Sequence, residues 1–496
     1  MTSNRSSGAE IARHSLVYIV GSALSVVGGM LMVPVYTHSL STSAYGVLDT
    51  ILRFVTMCMG VAFLGIRQAY VRLYFDMRTK AGSRTLTSTV VLANLAVAVL
   101  VLLLLLIASV AGRNLGAGDL TVPRSVGLAV WIAFEATYMI GLSHLLVRMR
   151  SRLFVIVQLS RLLLLILVMV TLLRVFHFGL NGALLGNLTV AVSSGLVTAA
   201  VLLRSAGLHP SGEHFRELVT FGLPYIPAVV FFYVIGNADR LALIHFGAVA
   251  SLGLLALAAK IGEMAVMVFS GPVDNVWSPY ALSVHAEADG PKRIGAAYTK
   301  FVAVYVLLAL GASLAAPIGV SLLAKPDYEF AARLVPIIAL AWVFNVLTTL
   351  SDIGVLISKK TWIKPLASGL VALIAVCLQF VLTPRFGVIG AATGTALAYL
   401  TLFLVIRTIS QRFYPMVTRP RDFLVVAGSA SLVLLAGLNI MQSYTSLWVS
   451  LAVSVCGVSA CGLLFVRAGV IDIADVRSVA GRLGIRLSAP GRSNDV

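Results

Sequence analysis

The sequence predicts an all-α integral membrane protein with about fourteen transmembrane helices, arranged as two six-helix lobes and an additional C-terminal helix pair. Its composition, its succession of long apolar segments and a spacing repeated between its two halves predict this class. Hydrophobic residues form 59% of the 496 residues and charged residues form 11%, whereas soluble domains contain roughly 45–50% and about 25%. The excess of apolar side chains therefore has to face lipid.

The apolar segments are long enough to cross a bilayer, because a helix needs about 20 residues to span about 30 Å of hydrocarbon. The polar breaks between them are short, so no extramembrane domain is expected. The four cysteines lie inside apolar segments without metal-ligand spacing, so we expect neither disulfides nor a metal site. The predicted helices lie at residues 15–37, 44–66, 86–110, 124–147, 152–175, 180–203, 217–244, 248–275, 296–321, 330–357, 362–383, 388–407, 423–441 and 446–466.

Basic residues predict the orientation, because cytoplasmic loops carry an excess of Lys and Arg. A cytoplasmic N-terminus puts most of the 37 basic residues on the cytoplasmic side, and the C-terminus then lies there too. We expect a bacterial inner-membrane protein whose net charge of +18 meets anionic lipid headgroups, with no nucleic acid partner. Arg67 and Arg72 follow the second helix at this face. They are either part of the topology signal or a recruitment site for an anionic lipid-linked substrate.

A repeated spacing indicates two equivalent halves. Three residues have counterparts at one constant spacing: His38 with His245, Gly46 with Gly253, and Arg53 with Lys260. Six helices followed by six more form parallel repeats related by an axis along the membrane normal, and rocking of two such lobes gives alternating access. The predicted lobes are residues 1–208 and 209–415, followed by the helix pair at 416–469 and a cytoplasmic tail at 470–496.

Charged side chains inside apolar segments are the candidate functional residues, because each costs at least about 2.5–3.5 kcal/mol near the bilayer centre. Arg53 and Lys260 occupy equivalent repeat positions, so we expect them on opposite walls of one cavity, where two cations suit an anionic group. Alternatively, Asp49 neutralises Arg53 along one helix face, and Glu263 neutralises Lys260 in the same way. Either acid is also a candidate coupling residue, because it can hold its cation until substrate displaces it.

Three further charged residues are candidates for gating or coupling, or have a structural role alone. Asp239 and Arg240, near the outer end of helix seven, form either an interfacial ion pair or a gate between the lobes. Glu135 is expected to pair with Arg161 inside the first lobe, and ion or proton coupling is the alternative for this acid.

Short motifs occur in an order and spacing typical of one transporter family: Ala44–Gly46, Phe221–Pro227, Asp239–Arg240, Trp277–Pro279 and Gly387–Gly394. Together they resemble the polysaccharide and O-antigen flippases of the multidrug/oligosaccharidyl-lipid/polysaccharide exporter superfamily, over most of residues 10–410. Many members have twelve helices, and the two additional helices here resemble the lipid II flippase branch. The additional pair is either a groove for a long lipid tail or a packing or partner surface.

The resemblance implies a flippase that turns an undecaprenyl-diphosphate-linked oligosaccharide from the inner to the outer leaflet, as an O-antigen, capsule or exopolysaccharide unit. Its diphosphate would meet Arg53 and Lys260. Membrane lipids, and a polysaccharide polymerase or glycosyltransferases, are the implied partners. We expect a monomer without a cofactor.

Two other functions stay open. A cation-coupled drug or small-molecule antiporter of the same superfamily would favour carboxylates in its cavity, whereas the repeat-equivalent positions here hold cations. A membrane-embedded glycan polymerase or ligase needs an acid/base pair or metal carboxylates beside a long outer loop, and the sequence has neither a D-x-D motif nor such a loop. A P-loop is also absent. We therefore assign no catalytic residues and expect a transporter rather than an enzyme.

Overall fold

Every regular element in the described part of the protein is helical. The computed structural model describes residues 28–76, 80–114, 122–148, 150–207, 209–222, 226–443 and 447–471, and these ranges contain no β-strand. In chain order the helices are α1 (28–39), α2 (Thr42–Asp76), α3 (Lys80–Asn114), α4 (Val122–Val147), α5 (Ser151–Val170), α6 (Gly179–Ala206), α7 (Gly212–Gly222), α8 (Ile226–His245), α9 (Val249–Met267), α10 (Ser270–Val284), α11 (Gly290–Leu323), α12 (Ala331–Ser351), α13 (Ile353–Ile357), α14 (Ile363–Phe413), α15 (Pro420–Ser443) and α16 (Leu447–Arg467).

The protein crosses a membrane many times. Twelve helices in the described ranges are long and apolar enough to do so. The longest, α14, contains Gly387 with φ 56° and ψ −135°, a backbone conformation that side chains with a Cβ rarely adopt. This kink separates the two helices predicted at 362–383 and 388–407. The first predicted helix, 15–37, lies partly outside the described residues, so the total of fourteen stays a prediction.

One predicted helix is divided in the structure. The helix predicted at 248–275 is α9 followed by α10, with the break at residues 268–269. Pro272 falls in the first turn of α10, where the missing N–H of proline removes no intrahelical hydrogen bond. Periodicity alone did not locate this break. The helix predicted at 217–244 covers the end of α7 and most of α8, and residues 223–225 of it lie outside the described ranges.

The chain forms two compact units. Unit 1 contains the described residues up to Lys260 together with Ser321–Leu334 and Trp362–Thr401. Unit 2 contains Ile261–Val320, Val335–Thr361 and the described residues from Leu402 onward. Unit 1 includes residues of both predicted lobes, so the lobe boundaries at 208 and 415 stay a prediction.

Each unit has its own apolar core. In unit 1, Val55 of α2 and Trp131 of α4 are buried against α6. In unit 2, the buried rings of Trp277, Tyr298 and Phe465 belong to one cluster that joins α10, α11 and α16. Large buried aromatic side chains provide most of the packing area in such cores.

The C-terminal helix pair α15–α16 packs inside unit 2. A Cβ added at Gly437 or Gly457 would lie 2.5 or 2.9 Å from a methyl carbon of Leu314 in α11. Glycine at both positions therefore lets the two helices approach α11 closely, as small residues do between membrane helices. The opposite faces are apolar and exposed, with Leu432 at 68% and Trp448 at 75% exposure.

Candidate functional site

The first turns of α2 and α9 are in direct contact at two glycines. A Cβ added at Gly46 would lie 2.3 Å from the Cβ of Leu252. A Cβ added at Gly253 would lie 2.0 Å from the carbonyl oxygen of Thr42. These two glycines occupy equivalent positions of the repeat found in the sequence. At this position the two helices approach so closely that neither has room for a Cβ. We call this place, Thr42–Gly46 with Leu252–Gly253, the glycine contact.

Aromatic and polar contacts surround the glycine contact. The Tyr45 ring lies 6.1 Å from the ring of Tyr36 and 6.1 Å from that of Tyr328, centroid to centroid. The Thr37 hydroxyl donates a hydrogen bond of 2.6 Å to the carbonyl oxygen of Leu323. Burial raises the pKa of Tyr328, and the Asp327 carboxylate raises it further. Tyr328 therefore stays a neutral phenol and adds no charge to this end of unit 1.

Asp49, about one turn deeper in α2, is shared by two arginines. Its Oδ2 accepts a hydrogen bond of 3.0 Å from Arg53 Nε on the same helix. The same oxygen accepts a second hydrogen bond of 3.0 Å from Arg240 Nε on α8. The exposed fraction of the side chain is 15% for Asp49, 4% for Arg240 and 21% for Arg53. The expected local neutralisation of Arg53 is therefore present, and a contact with α8 accompanies it.

Asp239 continues this network into α14. Its Oδ1 accepts hydrogen bonds of 2.7 Å from the backbone N–H and 3.1 Å from the Nη1 of Arg240. Its Oδ2 accepts one of 3.0 Å from the Thr395 hydroxyl, and Gln379 Nε2 in turn donates to that hydroxyl oxygen at 3.2 Å. Arg240 is 3% exposed, so the ion pair with Asp239 is buried, and the choice between an interfacial pair and a gate stays a prediction. We call the set Arg53, Asp49, Arg240, Asp239 and Thr395 the α2–α8–α14 network.

Lys260 differs from Arg53 in its salt-bridge partners. Its Nζ lies 3.8 Å from the place where a Cβ on Gly29 of α1 would be. It is half-buried and forms no salt bridge with any residue in the described part of the chain. Among the described residues the two repeat-equivalent cations therefore differ: Arg53 forms a salt bridge with a carboxylate, and Lys260 does not. The coupling role suggested for Glu263 stays a prediction.

Glu135 of α4 and Arg161 of α5 form the predicted ion pair. Nη2 of the guanidinium donates to Glu135 Oε2, and its central carbon lies 4.1 Å from the centroid of the Tyr138 ring. Glu135 is 8% exposed, so this acid is buried and paired. The side chains of Arg67 and Arg72 lie outside the described part of the structure, and their recruitment role stays a prediction.

Sequence reasoning missed two features of unit 1. The Arg240–Asp49 contact joins residues 191 positions apart, which no spacing within one helix predicts. His144 was not singled out either, although it is 3% exposed and its Nδ1 lies 2.7 Å from the Tyr70 hydroxyl. The available signal for both was the same: a polar residue in an otherwise apolar segment needs a partner.

Comparison with known proteins gives one family and several solved structures. Residues 11–285 match the family described as "Polysaccharide biosynthesis protein". No curated protein matches the chain significantly in sequence.

The similar structures are membrane transporters. The structure of "Lipid II flippase MurJ, inward closed conformation" is 14% identical with a TM-score of 0.67, covering 92% of this chain and 100% of that one. An inward-facing multidrug resistance transporter of the MATE family is 15% identical with a TM-score of 0.57, covering 81% and 97%. An outward-facing MATE transporter is 14% identical with a TM-score of 0.54, covering 81% and 95%. These similarities confirm the predicted superfamily fold.

Proposed function

The chain belongs to the polysaccharide biosynthesis protein family, and from this premise we propose that it is a flippase for a lipid-linked oligosaccharide. The substrate is an undecaprenyl-diphosphate-linked unit that moves from the inner to the outer leaflet of the bacterial inner membrane. Both termini lie in the cytoplasm, and rocking of two six-helix lobes gives alternating access.

The observation that carries this proposal is that Lys260, at the position equivalent to Arg53, forms no salt bridge with a residue that the structure describes. An intramembrane cation is expensive unless it faces water or an anion. Arg53 already has a carboxylate partner, so the two residues together offer an anionic headgroup a net positive site. A diphosphate fits this site, because Arg provides a planar fork of donors and Lys a compact point charge.

The rest of the substrate has different requirements. The sugar needs a hydrated space, and the prenyl tail stays in the hydrocarbon. The exposed apolar faces of α15 and α16 are candidate contacts for this tail, and a packing or partner surface is the alternative for them. A polymerase or glycosyltransferases would act before or after the transport step.

The antiporter alternative is supported by the MATE-like fold but not by three of the carboxylates in the membrane helices. Cation coupling needs an acid that can take up and release a proton or sodium ion. Asp49, Asp239 and Glu135 each accept hydrogen bonds from an arginine. A glycan polymerase or ligase is disfavoured because the structures similar to this chain are transporters.

The test is glycan export from a deletion strain that expresses variants at equal membrane levels. We expect Lys260→Ala and Arg53→Ala to abolish export and to accumulate lipid-linked glycan, and Lys260→Arg to retain export because it keeps the charge. Arg333→Ala is the matched control, because Arg333 is an exposed cation outside the proposed site. Normal export by both alanine variants would overturn the site. Drug sensitivity without any change in lipid-linked glycan would favour the antiporter.

A further inference from the structure

We propose that unit 2 binds the phosphate of an anionic membrane lipid at Arg407 and the loop that joins α14 to α15. The lipid is a component of the surrounding membrane and not the transported substrate. The inference goes beyond the proposed function, because Arg53 and Lys260 belong to unit 1, whereas every residue of this site belongs to unit 2.

Arg407 is a half-buried cation near the end of α14. The central carbon of its guanidinium lies 4.7 Å from the centroid of the Tyr298 ring. Its Nη2 donates a hydrogen bond of 3.3 Å to the Thr418 hydroxyl, and its Nη1, which protein atoms cover, has no acceptor. None of the salt bridges among the described residues includes Arg407. An aromatic ring and a neutral hydroxyl therefore hold this charge, and no described carboxylate balances it.

Two arginines of unit 1 show what such a charge needs. Arg161 forms a salt bridge with Glu135. Arg240 forms one with Asp239. Moving a charge out of water is unfavourable unless an opposite charge compensates for it. Arg407 has no such partner among the described residues, so its counter-ion comes from another molecule.

The Tyr298 ring holds the guanidinium in a fixed orientation. Tyr298 is 1% exposed, and its hydroxyl lies 3.0 Å from the hydroxyl of Ser351 at the end of α12. Its ring centroid lies 6.1 Å from that of Phe423 in α15. A planar guanidinium stacked on an immobile ring presents its remaining N–H groups in one direction. This geometry suits the oxygens of a phosphate.

The segment around Arg407 is strongly positive. Residues 407–421 contain no acid and four arginines, Arg407, Arg412, Arg419 and Arg421, of which the last three are exposed. The next residue, Asp422, forms no salt bridge that the structure describes. Helix α15 begins at Pro420, two residues after Thr418, and the N-terminus of a helix favours an anion.

The loop between the two helices is attached to the neighbouring α10–α11 hairpin. The backbone N–H of Val417 donates a hydrogen bond of 3.1 Å to the carbonyl oxygen of Pro291. The Tyr414 hydroxyl donates one of 3.1 Å to the carbonyl oxygen of His285. Thr418 is therefore held in position next to Arg407 before any anion binds.

The surroundings favour a lipid over a soluble anion. Leu404, three residues before Arg407, and Leu424, in the first turns of α15, are large exposed apolar side chains. Exposed leucines next to cations are expected where the hydrocarbon meets the headgroups, and basic pockets between membrane helices at this level bind anionic headgroups. The predicted orientation puts the site in the cytoplasmic leaflet.

The experiment measures lipid binding and thermal unfolding of the full-length protein in a nonionic detergent. Radiolabelled dioleoylphosphatidylglycerol is the probe. Dioleoylphosphatidylcholine, which has the same acyl chains and no net charge, controls for binding of the tails, and inorganic phosphate controls for a soluble anion. Arg407→Met removes the charge and keeps an apolar chain. Arg412→Gln is the matched control, because it removes the same charge from an exposed position of the same helix.

We expect saturable binding of phosphatidylglycerol and much weaker binding of phosphatidylcholine. Arg407→Met should lower the affinity for phosphatidylglycerol by at least about tenfold, because a charge-assisted hydrogen bond is lost. Arg407→Lys should retain most of the affinity, and Arg412→Gln should leave it nearly unchanged, because exposed charges contribute little.

Thermal unfolding separates this role from a structural one. Without lipid, Arg407→Met should unfold at the same temperature as the unmodified protein or at a higher one, because it removes a charge that nothing compensates. With phosphatidylglycerol, only proteins that keep the cation should be stabilised. A purely structural Arg407 would instead give a less stable Met variant under both conditions.

Four results would overturn the inference. They are equal binding of the two lipids, normal phosphatidylglycerol binding by Arg407→Met, stabilisation by inorganic phosphate equal to that by the lipid, and loss of phosphatidylglycerol binding in well-folded Arg53→Ala. The flippase proposal is unaffected by the first three, because they concern unit 2 alone. Elution as a single species controls for misfolding, and Arg407→Gln replaces the Met variant if that variant does not fold.

Discussion

Two buried ion-pair systems in the described part of unit 1 differ in what they connect. Glu135 and Arg161 join consecutive helices, α4 and α5, in one pair that also stacks on Tyr138. The α2–α8–α14 network joins helices that are distant in sequence, and it contains two local pairs linked by the Asp49–Arg240 hydrogen bond. The first arrangement holds neighbouring helices in place. The second links helices that only the tertiary fold brings together, so buried charge serves two different purposes.

The largest effect is expected for Asp49→Asn. This change removes the carboxylate that balances Arg53 and Arg240, and loss of one partner in a buried ionic network costs about 3–5 kcal/mol. We predict a strongly lowered thermal unfolding temperature in detergent, together with loss of glycan export. An unfolding temperature equal to that of the unmodified protein would show that the network is not a stabilising feature.

Gly253→Ala is expected to have the next largest effect. The new methyl group would lie 2.0 Å from the Thr42 carbonyl oxygen, so α2 and α9 must move apart. Overpacking of this kind costs about 1–3 kcal/mol. We predict a lowered thermal unfolding temperature in detergent. Gly428→Ala is the matched control, because a Cβ there meets no atom within 4 Å.

Glu135→Gln should have a smaller effect, which lowers stability and leaves export intact. Arg161 keeps its position over the Tyr138 ring, its side chain is 22% exposed, and the amide can still accept a hydrogen bond. We predict a loss of about 2 kcal/mol in stability, near the lower end for a hydrogen bond to a charged group, with export retained. Loss of export in well-folded Glu135→Gln would assign this acid a coupling role and remove the distinction between the two systems.

The smallest effect is expected for Thr395→Val, which keeps the side-chain shape and removes the hydroxyl that donates to Asp239. One hydrogen bond to a charged group contributes about 1.5 kcal/mol. We predict a slightly lowered unfolding temperature and slower export. If the effect equals that of Asp49→Asn, the Thr395 hydroxyl is as important to the network as the Asp49 carboxylate.

The sequence by itself determined the class of the protein and several of its contacts. Apolar composition and segment length require membrane helices, because each backbone polar group must be satisfied inside the helix in lipid. The i, i+4 spacing of Asp49 and Arg53 was sufficient to predict their pairing. The repeat identified Gly46 and Gly253 as equivalent positions, and the short motifs indicated the family.

Only the tertiary structure decided which partners the buried charges have. The Asp49–Arg240 bond depends on how α2 and α8 pack, and packing also decides that no carboxylate of the described residues forms a salt bridge with Lys260. Helical periodicity relates a residue to its neighbours three and four positions away, and it contains no information about contacts across helices that are distant in the chain. The helix break at 268–269 and the division into two units likewise depend on packing between segments.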